Sequence, residues 1–183
     1  MVEFPDLRIS VDETGVQALS KLMSSCPKAA AISAGDMKQY RTYLSANGGF
    51  GVDIPTRLFR LVNADRNGRR YQTETGGANL TIAVFNNALE QNVGAAYAGA
   101  LADRTIIAAP SYKAKGKDFF VISGKTKNRI VYYKSLLTCN AGIWASLRLE
   151  YDEASKESFD SVVTRMSQSF TPRAAADGTA LCE

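Results

Sequence analysis

The fold is decided by residues 118–170, which read DFFVISGKTKNRIVYYKSLLTCNAGIWASLRLEYDEASKESFDSVVTRMSQSF. An apolar run at 119–122 is followed by the polar run 124–128 and by a second apolar run at 129–133, and this pattern predicts a β-hairpin. From 143 to 151 apolar and polar residues alternate strictly. That alternation predicts a third strand, buried on one face.

The end of this stretch changes to helical spacing. One helical stripe holds the large apolar residues Phe159, Val162, Val163, Met166 and Phe170. Charged and polar residues occupy the remaining positions, as in a helix that packs against a core on one side. We therefore predict that one helix closes over one face of an antiparallel sheet.

Residues upstream of this block predict the rest of the sheet. The strand-like runs 70–74 and 79–85 are separated by two glycines, which predicts a second hairpin. The alanine-rich run 90–102 has helical spacing, and residues 105–115 predict a strand interrupted at Pro110. The predicted fold class is therefore α/β (α+β), an antiparallel sheet flanked by helices in a compact α/β/α sandwich.

Two helices are expected near the N-terminus. Asp12 or Thr14 caps the first, which ends near Ser25, and Asp36 caps a short second helix that includes Tyr40. We expect a single domain, 1–183, with an N-terminal helical extension at 1–39, a sandwich core at 40–172 and a tail at 173–183.

Composition and charge limit the class of protein. With 183 residues, of which 45% are hydrophobic and 22% charged, the chain fits one globular domain. The net charge of +4 is less concentrated than is usual in nucleic-acid-binding proteins. No apolar run approaches the roughly 18 residues of a membrane helix, and residues 1–6 do not resemble a signal peptide. We expect a soluble domain that binds no nucleic acid and has no membrane span, and from which any signal peptide has been removed.

Basic residues are concentrated in one region. Seven of them fall between positions 113 and 134, against a single acidic residue, Asp118, so the region has a local net charge of +6. They are Lys113, Lys115, Lys117, Lys125, Lys127, Arg129 and Lys134. Such a run is either a solvated face or a surface that attracts an anionic protein partner. We predict that a partner docks on this basic rim rather than in a pocket.

Several kinds of catalytic chemistry are excluded by composition. The chain has no histidine, which removes serine–histidine and cysteine–histidine pairs and the most common metal ligand. Residues 123–126, SGKT, resemble the end of a phosphate-binding loop, but Phe119 stands where that motif needs glycine, and a strand follows where it needs a helix. We expect a hairpin turn there, and no catalytic residue, cofactor or metal.

An acidic group precedes and begins the last helix. It consists of Asp152, Glu153, Glu157 and Asp160. Four carboxylates could hold a hard cation, but acidic residues in the first turns of a helix also interact favourably with the helix dipole. We expect the second role.

The three cysteines, Cys26, Cys139 and Cys182, show no CxxC spacing, so no structural zinc site is predicted. They are either three thiols or one long-range disulfide with an unpaired cysteine. For an extracytoplasmic protein we predict a Cys26–Cys182 disulfide, with Cys139 left as a thiol.

Short motifs carry a resemblance to a known family. Besides Tyr43, they are GFGVDIP at 49–55, DFFVISG at 118–124, SFD at 158–160 and SQSF at 167–170. The chain resembles the PsbP-like class of α/β sandwiches, which includes a photosystem extrinsic protein and a Ran-binding protein of nuclear transport. More narrowly, it is similar to secreted proteins of Gram-negative bacteria, although Ile54 stands before Pro55 where those have tyrosine. The resemblance covers residues 40–172 and implies a fold rather than an activity.

Two kinds of function remain in competition. We expect a non-enzymatic extracytoplasmic protein, periplasmic or secreted, that binds another protein as an envelope or secretion-system factor or as an inhibitor or immunity-type protein. The alternative is a carrier of a small ligand, or an enzyme that uses lysine, tyrosine and carboxylates in a cleft. A concave pocket with convergent polar groups would favour the alternative, and a filled sheet face would favour the binding protein. The oligomeric state is not predicted.

Overall fold

The computed structural model describes residues 39–45, 47–174 and 182. These residues belong to one compact unit, Ile32–Glu183. The predicted helix ending near Ser25, and Asp36 and Cys26, lie outside the described residues. The domain boundaries proposed at 39, 40 and 172 stay predictions.

Strands dominate the described residues. They are β1 (Tyr40–Ser45), β2 (Phe50–Pro55), β3 (Arg60–Asp65), β4 (Gly68–Gln72), β5 (Ala78–Asn86), β6 (Ala109–Lys115), β7 (Phe119–Thr126), β8 (Arg129–Thr138), β9 (Ile143–Asp152) and β10 (Thr171–Pro172). The helices are α1 (Val93–Ala102) and α2 (Lys156–Ser169), and a single 3₁₀ turn, Glu153–Ser155, leads into α2.

The strands form two antiparallel sheets. The larger has the order β3-β4-β5-β9-β8-β7-β6, and the smaller has the order β1-β2-β10. Both predicted hairpins, β4–β5 and β7–β8, are present, and β9 pairs with β8 and β5 at the centre of the larger sheet. The predicted fold class is confirmed.

The main core fills one face of the larger sheet. Helix α2 buries Phe159, Val162 and Met166 there, and Phe170 directly follows the helix in the same core. The Phe159 ring stacks on Tyr151 with the ring centres 4.7 Å apart. Strand β2 is buried along its whole length in this layer. The predicted closing helix is therefore correct in position and in packing face.

A second core lies on the opposite face, between α1 and the strands β7, β8 and β9. It contains Val93, Ile107, Phe120, Ile122, Val131 and Trp144. Because α1 covers this face, Trp144 and Ser146 are buried even though they alternate with the residues of the main core. The prediction that β9 is buried on only one face is therefore wrong. The alternation of apolar and polar residues in β9 does not indicate that α1 covers the second face.

Two local predictions also need correction. Tyr40 begins strand β1 and not a helical turn, because β2 offers it a complete antiparallel partner from Pro55 to Phe50. The strand expected at 105–115 begins only at Ala109. Pro110 lies within it on an edge strand, next to a register shift, which is where a residue without an N–H donor is tolerated.

Candidate functional site

The seven basic residues of the predicted rim do not form one surface. Strand β7 is eight residues long, so its two ends are more than about 20 Å apart. Lys115 and Lys117 lie near its beginning and Lys113 lies opposite its middle, whereas Lys125 and Lys127 lie near its end. The structure divides the seven into a buried residue, an ion-paired group and exposed lysines.

Lys134 is the buried residue, with 9% of its area exposed. Its Nζ donates hydrogen bonds to the carbonyl oxygens of Ser167, at 2.8 Å, and Phe170, at 2.9 Å. These carbonyls lie at the C-terminal end of α2, where a positive charge interacts favourably with the helix dipole. Burial lowers the pKa of the Lys134 ammonium group. Lys134 holds the helix in place and does not belong to an exposed rim, which corrects the prediction.

Arg129 and Lys125 form the ion-paired group. The Arg129 guanidinium lies 3.3 Å from carboxylate oxygens of both Glu150 and Asp152 on β9. Lys125 pairs with Glu153 in the turn before α2. The sequence shows only one acidic residue near these bases, because the other carboxylates come from a strand about 20 residues later. Their charges reduce the field that the sequence predicts at this end of the sheet.

The remaining bases are exposed. Lys113 and Lys115 extend from β6, and Lys117 lies in the β6–β7 turn. Among the described residues no carboxylate forms an ion pair with these three lysines. We call them the lysine edge. Lys127 is also exposed, at the tip of the β7–β8 hairpin, where its φ of 55° fits a tight turn.

Two aromatic side chains that the sequence analysis overlooked flank the lysine edge. Tyr112 is 57% exposed and Phe119 is 36% exposed. Pairing with β7 and β8 places both on the face that α2 covers, whereas Lys113 and Lys115 are on the α1 face. For Tyr112 a signal was present in the sequence, because this residue directly precedes alternating lysines in a predicted strand. Phe119 gave no such signal, because it begins an apolar run.

The acidic residues before and within α2 form ion pairs or lie in the first turn of the helix. Asp152 pairs with Arg129, Glu153 with Lys125, and Asp160 with Lys156. Glu157 lies in the first turn of α2, as the helix-dipole interpretation predicts. Within the described part of the chain, no cluster of three potential ligand residues could hold a metal ion.

The SGKT sequence at 123–126 lies at the end of β7 and leads through a short turn into β8. The hairpin interpretation is correct. Ser123 donates a hydrogen bond to the Val131 carbonyl, so its hydroxyl is used within the sheet.

Cys182 is bonded to Cys139, with the two Cα atoms 5.5 Å apart. The predicted Cys26–Cys182 disulfide and the Cys139 thiol are therefore wrong. Cys139 directly follows the long strand β8 and begins the turn to β9. Sequence separation could not distinguish Cys26 from Cys139 as the partner of Cys182, because either disulfide would close a long loop.

These features define a PsbP-like α/β/α sandwich with an exposed lysine edge. The solution structure of cyanobacterial PsbP (CyanoP) from Synechocystis sp. PCC 6803 is similar, with a TM-score of 0.58 and 10% identity over 77% of this chain and 96% of that one. The Ran-binding protein Mog1p of Saccharomyces cerevisiae matches with a TM-score of 0.53 and 9% identity over 73% of this chain and 95% of that one.

No family model and no curated protein matches the chain. The narrower resemblance to secreted proteins of Gram-negative bacteria stays a prediction. Neither helix of the described residues is long and apolar enough to cross a membrane.

Proposed function

We propose that this protein is a non-enzymatic, extracytoplasmic binding protein that recognises an anionic protein partner through the lysine edge. The observation that carries the proposal is the contrast among the bases themselves. Lys125 and Arg129 are ion-paired and Lys134 is hydrogen-bonded within the fold, whereas Lys113, Lys115 and Lys117 are exposed and form no ion pair within the described residues. Of these three, Lys115 contacts an aromatic ring, with its Nζ 5.8 Å from the centre of Tyr97.

The exposed aromatic residues on the other face of the same sheet edge strengthen the proposal. Partner-binding surfaces are enriched in exposed aromatic side chains, which contribute much of the binding energy, while peripheral charges mainly set the association rate. Tyr112 and Phe119 would supply the apolar contact, and the lysine edge would attract the partner. Mog1p, which has a similar fold, is described as a Ran-binding protein.

The Cys139–Cys182 disulfide supports the extracytoplasmic assignment, because disulfides persist in oxidising compartments. Alkylation of the unreduced, denatured protein should label one cysteine of three. The same experiment after reduction should label all three. Three labelled cysteines without reductant would contradict the assignment.

The lysine edge is tested by charge reversal. The variant Lys113→Glu, Lys115→Glu, Lys117→Glu should retain its fold, because the three side chains are exposed. A matched control is Arg57→Glu, Arg60→Glu, Arg66→Glu, which changes net charge equally near β3, at the opposite edge of the sheet.

The experiment begins with cross-linking in the envelope fraction of the source organism, followed by purification of the cross-linked protein. Association rates are then measured from low to physiological salt. We expect the lysine variant to slow association by about tenfold and to weaken its salt dependence, since exposed charges are screened beyond about 8 Å at physiological ionic strength. If the lysine variant and the arginine control behave alike, the lysine edge is not the docking surface.

A further inference from the structure

A cleft lies between α1 and the larger sheet, on the face opposite α2. Its volume is about 400 Å³, within the usual range for sites that hold a small molecule. The roof is α1, and the floor includes Phe120, Tyr133, Ser135 and Trp144. This cleft is separate from the exposed lysines.

The cleft exists because α1 presents small residues to it. Ala95, Ala96, Gly99 and Ala100 line the roof, and they leave space that larger side chains would fill. A Cβ atom added to Gly99 would meet no atom within 4 Å. Val93 is the only α1 residue that is fully buried. The helix therefore covers the sheet without filling the space beneath it.

The floor contains polar groups in an apolar setting. Trp144 is 8% exposed, and its Nε1–H has no hydrogen-bond partner. A buried donor without an acceptor is costly, and such donors are uncommon in folded proteins. Because the Trp144 Nε1 atom is itself covered, an acceptor can reach it only if the neighbouring side chains move aside. The unpaired donor is a second observation, independent of the small-residue roof, that points to a missing acceptor.

The hydroxyl groups of the floor lie next to one another. Tyr133 pairs across the strands with Arg148, and Ser135 pairs with Ser146. Burial raises the pKa of the Tyr133 hydroxyl, and hydrogen bonds with Ser135 and Ser146 oppose that rise. The Ser135 hydroxyl also donates a long hydrogen bond, 3.4 Å, to the Ala145 carbonyl, so a polar atom of a ligand would exchange with these existing contacts.

The cleft lining, within the described residues, contains no cationic side chain that would attract an anion, and Arg148, which pairs with Tyr133 across the strands, is ion-paired with Glu150. Asp103 is the one charged side chain in the lining. Its carboxylate already accepts hydrogen bonds from the backbone N–H and the hydroxyl of Thr105. At the mouth, the exposed side chains of Phe85 and Leu89 lie in the same segment as the amides Asn86, Asn87 and Gln91, so the entrance combines apolar groups with uncharged polar groups.

From this geometry we propose that the cleft binds an uncharged small molecule, one with a flat apolar body and at least one hydrogen-bond-accepting oxygen. The apolar body lies between the α1 roof and the aromatic floor. The oxygen accepts from the hydroxyl groups or from the Trp144 indole. This activity is additional to partner binding and does not depend on the lysine edge.

The test uses two fluorescent probes of similar size. Prodan is a neutral naphthalene with a ketone oxygen, and 1-anilinonaphthalene-8-sulfonate is its anionic counterpart. Trp144 is the only tryptophan of the chain, so energy transfer from it reports a probe bound close to the floor of the cleft. We expect saturable one-to-one binding of prodan and at least tenfold weaker binding of the sulfonate.

Gly99→Leu should fill the cleft and weaken prodan binding at least tenfold. It should not impair folding, because leucine favours helix more than glycine does. Ala98→Leu is the matched control, since Ala98 is an exposed α1 residue that does not line the cleft. Ala95→Leu, at a second lining position, replaces Gly99→Leu if that variant does not fold.

Specific outcomes decide the proposal. Loss of prodan binding in the lining variant but not in Ala98→Leu, with energy transfer from Trp144, supports it. Equal affinity in the lining variant and the control overturns it, as does binding of the sulfonate at least as tightly as prodan. The lysine-edge variant should bind prodan normally, so the two proposals can fail separately.

Discussion

The two faces of the larger sheet are covered in different ways. On one face α2 contributes Phe159, Val162 and Met166 to a packed core that also includes β2. On the other face α1 contributes Val93 and a roof of alanine and glycine above a cleft. Both helices lie on the same sheet, but only one fills its interface.

The filled face contributes more to stability, and the face with the cleft leaves space in which a ligand could bind. A filled face gains free energy from dispersion and from burial of apolar area, whereas a cavity forfeits part of both. A filled sheet face favours a protein-binding role, and a concave pocket favours a small-ligand role. The molecule has one of each, so a protein-binding surface and a small-molecule cleft are compatible.

The largest expected effect is on the filled face. Phe159→Ala should lower the free energy of unfolding by about 3 to 5 kcal/mol, because the ring is 1% exposed and leaves a cavity. Urea denaturation measures the change. Phe85→Ala, at an exposed position beside the α1 cleft, is the control and should cost less than about 1 kcal/mol. Similar losses for both variants would contradict the comparison.

Lys134→Met tests the fixing of α2 to the sheet. The substitution removes two charge-assisted hydrogen bonds to helix carbonyls and should lower the free energy of unfolding at pH 7 by about 1 to 3 kcal/mol. An unchanged free energy of unfolding would mean that the loss of the two hydrogen bonds is offset, because the variant no longer buries the charge of Lys134.

The pH dependence of the same variant has a definite sign. Burial lowers the pKa of Lys134 from its ordinary value of 10.5. Between the lowered value and 10.5 the unfolded state binds more protons, so the free energy of unfolding gains a contribution that grows with pH. The stability advantage of the wild type over Lys134→Met should therefore increase toward pH 10.5. Urea denaturation at a series of pH values checks this, and a decreasing advantage would contradict it.

On the loosely covered face, Val93→Ala should cost about 1.5 kcal/mol, the value for two buried methyl groups. It should leave the main core intact. Hydrogen exchange measured by NMR should show faster exchange in α1 and unchanged exchange in α2. If both helices exchange faster together, the two faces are not independent.

The smallest expected effect has the opposite sign. Gly99→Ala should raise the free energy of unfolding by about 0.5 to 1 kcal/mol, because alanine favours the helix and the new methyl group meets no atom within 4 Å. Thermal or urea denaturation can detect this gain. A loss of stability would show that the roof is tighter than its geometry indicates.

Local patterns predicted the strands, the hairpins and the packing face of α2, because those features depend on residue periods of 2 and 3.6. They could not predict the α1 cleft. Small residues such as Ala96 and Gly99 have the same helical spacing whether they pack closely or leave a space. The alternation in β9 likewise did not reveal that Trp144 and Ser146 face a second helix.

Charge patterns were informative only where the partners were near in sequence. The pairing of Arg129 with Glu150 and Asp152 depends on strand order and register, which one sequence does not specify. The same holds for Lys134, whose acceptors lie more than 30 residues away at the end of α2. Counting charges therefore overestimated the size of the basic surface.

The terminal strands β3 and β6 each have one neighbour in the sheet of the described residues. All six residues of β3 are exposed, including the apolar Leu61 and Val62. A register shift beside these two residues interrupts the regular ladder, and Pro110 and the lysines of β6 hinder a second chain from pairing there. Replacing those lysines with apolar residues would therefore favour aggregation during expression, even if each folded molecule were unchanged.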